Sequence, residues 1–151
     1  MQIFEKIKEF LNQSEIKYSV KHHEPVYTSE QAAKIRGDEL KQGAKAIIME
    51  ADRNFVLIVL SADRKINSKK LKKILNSKKL SFASPEKLKS FNLEPGDVPP
   101  FGSILGLETY VDKSLLENED ISFNAGSLTD SIKMKLKDYI KIEKPFIQDF
   151  S

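Results

Sequence analysis

The chain has 151 residues, 40% of them apolar, with 25 Lys or Arg against 22 Asp or Glu and a net charge of +3. That length and composition fit one globular domain with its own core and exclude a disordered chain. Cysteine is absent, which excludes disulfides, a thiol nucleophile and thiolate metal ligands, and no apolar run approaches the roughly 20 residues that span a bilayer.

Ile3, Phe4, Ile7, Phe10 and Leu11 recur at helical spacing and predict an amphipathic helix over residues 2–13. Glu5, Lys6, Lys8 and Glu9 fall where a signal peptide would be apolar, so a cytoplasmic location is expected. Tyr18 to Lys21 alternates and reads as a short strand. His22-His23, followed by Glu24-Pro25, reads either as structural or as a substrate-side loop, and two histidines argue against a histidine-rich metal site. Thr28-Ser29-Glu30-Gln31 fits a capping box, opening a helix from Ser29 to about Ile35 that stops near Gly37. Ala46 to Met49 and Phe55 to Leu60 are apolar, β-prone runs around Glu50 to Asn54, a hairpin signal with both strands largely buried.

From Arg64 to Lys79 there are eight Lys or Arg and no acidic residue. A helix starting near Ser68, capped by Ser68 or Asn67, puts Leu71, Ile74 and Leu75 on its apolar side. The basic side is either a solvated face or a surface for a polyanion. Leu80 to Ala83 is a candidate strand, and Ser84-Pro85 caps and opens a helix to about Phe91. Gly96-Asp97-Val98-Pro99-Pro100-Phe101-Gly102 joins two φ-fixing prolines to pliable glycines at both ends, a stiff segment able to hold main-chain groups near a ligand. A strand near Leu107 to Val111 follows, and Asp112 caps a single turn, Lys113 to Leu116. Ile121 to Asn124 and Ser131 to Met134 are candidate strands around Gly126, residues 135–142 form a short helix, and the residues after Pro145 read as a tail. Helices and strands mix without a regular βαβ rhythm, which predicts a single α/β domain of the mixed, α+β-like kind.

Three Gly-punctuated segments beside apolar runs suggest one pocket. In Gly43-Ala44-Lys45-Ala46, Lys45 stands at the entrance to a buried strand, where an ammonium against an apolar wall seeks an anion or a carbonyl oxygen. The backbone N–H groups of Gly96, Asp97 and Val98 are candidates for an oxyanion site. Gly126, Ser127, Thr129 and Asp130 offer a third wall with polar groups for a water or a ribose hydroxyl. A nucleophile elbow, a Walker loop and a Rossmann fingerprint are all absent.

In their order and spacing, from about Tyr18 to about Tyr139, these segments resemble the YbaK-type aminoacyl-tRNA deacylases, the prolyl-tRNA synthetase-associated editing domains. The family's Gly-x-x-x-Pro loop is matched by Gly96-Asp97-Val98-Pro99-Pro100, its strand-entry lysine by Lys45, and its C-terminal core by Phe123-Asn124-Ala125-Gly126 followed by Ser131 to Met134. The resemblance implies one compact domain over residues 1–151, with a partly closed, barrel-like mixed sheet flanked by helices. It implies a free-standing enzyme that hydrolyses the ester of a mischarged tRNA carrying a small amino acid such as Ala, Cys, Ser or Thr, with no metal or other cofactor. Lys45, Gly96 and Pro100 would be catalytic, with Lys45 on the terminal adenosine or phosphate. Asp97, Val98, Pro99, Phe101, Gly102, Gly126, Ser127, Thr129 and Asp130 would bind substrate. Lys69, Lys70, Lys72 and Lys73 would meet the tRNA acceptor stem. The expected partners are mischarged tRNA and an aminoacyl-tRNA synthetase, not a membrane or DNA. One departure stands out: many members place a histidine two residues after the glycine matched by Gly126, and this chain has Leu128. That leaves three readings: a deacylase, a non-catalytic module for a tRNA end or a synthetase, and a small-nucleotide or acylated-metabolite hydrolase.

Overall fold

The computed structural model describes residues 2–151. Helix α1, Ile3–Gln13, buries Ile3, Ile7 and Leu11, one residue per turn on a single face. Strand β1, Tyr18–His22, leads to α2, Ser29–Arg36. Thr28 Oγ1 accepts from the Gln31 N–H at 3.1 Å, and Gly37 ends α2 at φ 74°. The Gln31 side chain reaches one residue further than a capping box requires and accepts from Tyr27 N–H.

Strands β2, Ala44–Ala51, and β3, Asn54–Ser61, form the predicted hairpin, but it is longer than the apolar runs suggest. Only Asp52 and Arg53 remain in the turn, with Asp52 at φ 57° and its carboxylate accepting from the Lys78 and Lys79 N–H groups. Helix α3, Ser68–Leu75, is capped by Asn67. Strand β4, Leu80–Phe82, pairs with the outer edge of β2. Helix α4, Pro85–Ser90, is capped by Ser84, and α5, Gly102–Leu105, is a further short helix that begins inside the Pro-rich segment. Then follow β5 (Thr109–Asp112), β6 (Asp120–Asn124), β7 (Asp130–Lys135), α6 (Leu136–Glu143) and β8 (Phe146–Gln148).

The strands make a three-stranded antiparallel sheet, β1-β7-β6, and a five-stranded mixed sheet, β4-β2-β3-β5-β8. The expected barrel-like closure is not found: neither sheet closes on itself. Among the described residues a single bridge, Gly43 to Ser122, joins the two sheets. The five-stranded sheet ends on two strands of three residues each, β4 and β8, which lie on opposite edges. Closure requires continuous pairing around the rim. The two sheets pack through side chains instead. Ile48, Leu57 and Val59 face a core with Ile7, Phe101, Phe123 and Tyr139, while Met49, Ile58 and Leu60 on the other side meet Leu71 of α3 and Phe150. Strand β3 is thus buried on both faces, as its unbroken apolar run predicts.

The expected tail after Pro145 is also corrected. Strand β8 pairs in parallel with β5, and Phe150 is fully buried. Asp112 secures this segment by accepting from Phe150 N–H (2.7 Å), Ser151 N–H (3.1 Å), Ser151 Oγ (2.8 Å) and Ser114 N–H (3.0 Å). Burial alone raises the Asp112 carboxyl pKa, but these donors outweigh it and hold the group below its ordinary range. Ionised Asp112 therefore stabilises the fold above the ordinary carboxylate range, and that contribution disappears as pH falls through the depressed value. Asp112→Ala is expected to cost about 3 kcal/mol at neutral pH, less in acid, checked by urea unfolding across pH 2–7.

Candidate functional site

A cleft of about 230 Å³ opens between the segment entering α2, the end of α2, the start of β2 and the loop after α4. Small residues make the room. Gly43, just before β2, lines it with Ala44 and Ala46 of that strand, and a Cβ on Gly43 would meet that of Ala62 at 2.9 Å. Its polar lining includes Lys45, Arg36, Asp38, Glu39, Thr28 and Asn124.

Lys45 is half-buried at the second residue of β2, and its ammonium donates to the Arg64 carbonyl at 2.9 Å. It makes no ion pair among the described residues. Burial holds its pKa below the ordinary lysine value, with Glu30 and Asp63 opposing and Lys65 adding to the shift. Such a cation gains more from a bound anion or developing oxyanion than a solvated lysine does.

Arg36, the last residue of α2, donates from Nε to Ser131 Oγ (2.9 Å) and from Nη2 to Asn124 Oδ1 (2.7 Å). Burial lowers its pKa to about 10, with Asp38 opposing. Asn124 Nδ2 in turn donates to the Gly96 carbonyl at 2.7 Å. The bonds from Arg36 through Asn124 to Gly96 tie three distant segments together and fix one end of the Gly96 loop. His23 extends the network: its Nδ1 lies 2.7 Å from the Glu24 carbonyl, which only accepts, so Nδ1 carries the proton. Nε2 lies 2.7 Å from Ser131 Oγ, joining His23 to the hydroxyl that Arg36 also contacts. His22 instead pairs with Asp130 at the surface.

The Gly96 to Gly102 segment divides in two. Gly96, at φ 92°, and Val98 line the cleft with Lys45. Asp97 does not: its N–H donates to the Glu94 carbonyl (3.2 Å), and its carboxylate turns back to accept from Glu94 N–H (2.9 Å). Burial raises the Asp97 carboxyl pKa against that bond. Pro99 and Pro100 are buried, and the Pro100 carbonyl accepts from Tyr139 Oη at 2.6 Å. Burial, with Glu143 adding, pushes the Tyr139 phenol well above its usual pKa, so it stays a neutral donor. Phe101 packs edge-to-face with Phe10, Phe123 and Tyr139. Gly102 donates to Thr109 Oγ1 at 3.1 Å in the core. Pro99 to Gly102 therefore support the loop from behind rather than line the cleft.

The other expected substrate residues also lie off the cleft. Gly126, at φ 76°, lets α1 approach; a Cβ there would sit 2.6 Å from Ile3 Cγ2. Ser127 and Thr129 bond each other in the β6–β7 turn, and Asp130 pairs with His22. Leu128 packs beside Gly96, 3.5 Å from where a Cβ would stand. Its carbonyl accepts from Val26 N–H, which places the α2 entry segment over the cleft. Lys69, Lys70, Lys72 and Lys73 ride on α3 and line no cleft, and Lys70 lies 3.5 Å from Asp149. Sequence reasoning missed Arg36, which reads as an ordinary last-turn cation, and the role of Asn124, legible only as a polar residue ending an apolar strand.

The model of the aminoacyl-tRNA editing domain family matches residues 23–142, which include the whole cleft. The chain is 33% identical over 146 residues to the multifunctional Ser/Thr-tRNA deacylase ProXp-y of Escherichia coli (strain K12), covering 93% of this chain and 87% of that protein. It is 30% identical over 141 residues to the prolyl-tRNA editing protein ProX of Acetoanaerobium sticklandii, with 89% and 86% covered. A proline–tRNA ligase of Bacillus licheniformis matches 66% of this chain at 33% identity, over 18% of its own length. A crystal structure provisionally described as a trans-editing enzyme for prolyl tRNA synthetase superposes with a TM-score of 0.87 over 100% of this chain and 98% of its own, at 19% identity. With its model matched across 120 residues and two relatives at 30% identity or more, each covered over at least 86% of its length, this chain belongs to the aminoacyl-tRNA editing domain family.

Proposed function

We propose that this protein is a trans-acting deacylase that hydrolyses the ester between a small amino acid and the terminal ribose of a mischarged tRNA. The observation that carries this reading is Lys45, an ammonium without an ion-pair partner among the described residues, set in a cleft of about 230 Å³ that Gly96 and Val98 also line. That volume lies below the roughly 300 Å³ of pockets for drug-sized ligands and suits a small acyl group and its ribose. ProXp-y is named for action on Ser- and Thr-tRNA, which makes serine and threonine the leading candidates within the set Ala, Cys, Ser and Thr. Water attacks the ester carbonyl carbon, the negative charge develops on the carbonyl oxygen, and the ribose oxygen leaves with a proton. In this reading that charge is stabilised by Lys45 Nζ and by the N–H groups of Gly96 and Val98, neither of which bonds a protein acceptor among the described residues.

Leu128 supplies no imidazole, and Ser127, Thr129 and Asp130 are engaged with one another and with His22 away from the cleft. Placement of the water therefore falls to cleft backbone groups or to the substrate itself. The same leucine sustains the second reading, a module that holds a charged tRNA end or a synthetase without hydrolysis. Deacylation of Ala-, Cys-, Ser- and Thr-tRNAs separates the two. Rapid loss of one amino acid supports the enzyme; tight binding with no hydrolysis of any supports the module. Asn124→Ala, which frees the Gly96 carbonyl and leaves Arg36 Nη2 unpaired, is expected to lower kcat/KM about tenfold in the same assay.

A further inference from the structure

A second cavity, of about 410 Å³, lies on the far side of Lys45, which lines both. Its floor follows from strand geometry. Lys45, Ile47 and Met49 alternate along β2 and so share one face. Strand β4 stops at Phe82, opposite Met49, so the floor past that point is uncovered. Phe82 stands on the near wall, 68% exposed, and packs against no other aromatic ring among the described residues. Lys65, Ile66 and Ser68 form the other wall. Lys65 is exposed and, like Lys45, makes no ion pair among the described residues, and it is close enough to oppose the Lys45 charge. Two ammonium groups without carboxylate partners, an apolar floor and an open aromatic face are the combination that binds single-stranded nucleic acid: cations track the backbone and a base stacks on the ring. From Lys45 to Met49 is about 13 Å at the rise of a strand, room for one nucleotide beyond the ribose at Lys45.

We propose that this cavity binds the nucleotide preceding the terminal adenosine of the tRNA, with its base stacked on Phe82 and its phosphate held by Lys65. The proposal rests on the deacylase reading for which end of the nucleic acid enters the first cleft. It gives the protein a grip on the single-stranded end that is independent of the acceptor stem. The aromatic wall accepts any base, so the subsite strengthens binding without selecting the tRNA.

Hydrolysis of seryl- or threonyl-tRNA is compared with that of the corresponding aminoacyl-adenosine, which lacks the preceding nucleotide, for wild type, Phe82→Ala, Phe82→Trp and Lys65→Gln. Phe82→Ala is expected to raise KM about tenfold on the tRNA, at least fivefold more than on the aminoacyl-adenosine, and Phe82→Trp to restore it. Lys65→Gln is expected to reduce the salt slope of tRNA binding by about 0.7, the share of one single-strand phosphate. Equal losses on both substrates, or none on either, overturn the subsite. A second measurement does not depend on hydrolysis. Wild type should bind uncharged tRNA lacking only its terminal adenosine more tightly than the same tRNA lacking its last two nucleotides, and Phe82→Ala should lose that preference. If no aminoacyl-tRNA is hydrolysed but this preference and its loss are seen, the deacylase reading fails and the subsite stands. If Phe82→Ala keeps the preference, the subsite fails.

Discussion

Lys45→Ala is expected to lower kcat/KM for deacylation at least about 100-fold while leaving the melting temperature nearly unchanged. The first half follows from charge. A preorganised donor at a developing oxyanion contributes about 3 kcal/mol, and an ammonium in a partly dehydrated cleft belongs in that class. The second half follows from burial: Lys45 is only half-buried, and its single hydrogen bond goes to the Arg64 carbonyl. Truncating it opens no core cavity and strands no buried carboxylate. Lys45→Arg should not rescue the rate, because the planar guanidinium is larger and cannot place one point charge where the ammonium stands. Burial lowers the Lys45 pKa, so the charged form is lost as pH rises, and the alkaline limb of the wild-type rate profile should fall below the ordinary lysine range. Single-turnover deacylation and a thermal melt on the same preparations check all of this. A Lys45→Ala protein that keeps its rate would remove Lys45 from the chemistry.

Gly102→Ala is expected to act in the opposite way, on the fold first and on activity only through it. Gly102 opens α5 with its N–H bonded to Thr109 Oγ1, and that hydroxyl donates to Glu143 Oε2 at 2.7 Å. Glu143 also accepts from Ser103 N–H (3.1 Å) and Ser103 Oγ (2.6 Å). A methyl on Gly102 would overlap Thr109 Oγ1 and lie 2.5 Å from the Leu107 carbonyl oxygen. Thr109 Oγ1 cannot yield without breaking its bonds to Gly102 N–H and the buried Glu143 carboxylate. A loss of about 3 kcal/mol is expected, near 10 °C in melting temperature for a chain this long. Gly106 is the control: it has φ 75° but open space around it, so Gly106→Ala should cost only about 1 kcal/mol of backbone strain. Comparable melts for the two variants would show that the contact at Thr109 yields easily.

What could be read along the chain was local. The Thr28, Asn67 and Ser84 caps, the apolar stripe of α1 and the β2–β3 hairpin depend on neighbours a few residues away, and each is found where the pattern places it. The hairpin ran longer than its apolar run because Asn54, Glu50 and Ala51 pair through backbone groups, which hydropathy does not register. The tail became a strand because Phe150 and the Asp112 carboxylate meet across 38 residues. The barrel expectation failed for a related reason: alternation shows which face of a strand is buried but not which edges meet.

The sequence by itself determined the site's raw material: a lysine entering a buried strand, small residues beside it, and a loop stiffened by Pro99 and Pro100. Those properties belong to single residues and their neighbours. Only the tertiary structure decided that Gly96 and Val98 face Lys45 while Pro100 to Gly102 turn inward. It also decided that the turn at Ser127 to Asp130 lies off the cleft, and that Arg36 and Asn124 hold the loop in place. The physical reason is distance along the chain. Tyr139 bonds a carbonyl 39 residues away, and Arg36 bonds Asn124 across 88. No local pattern encodes bonds that exist only once the core has brought their partners together.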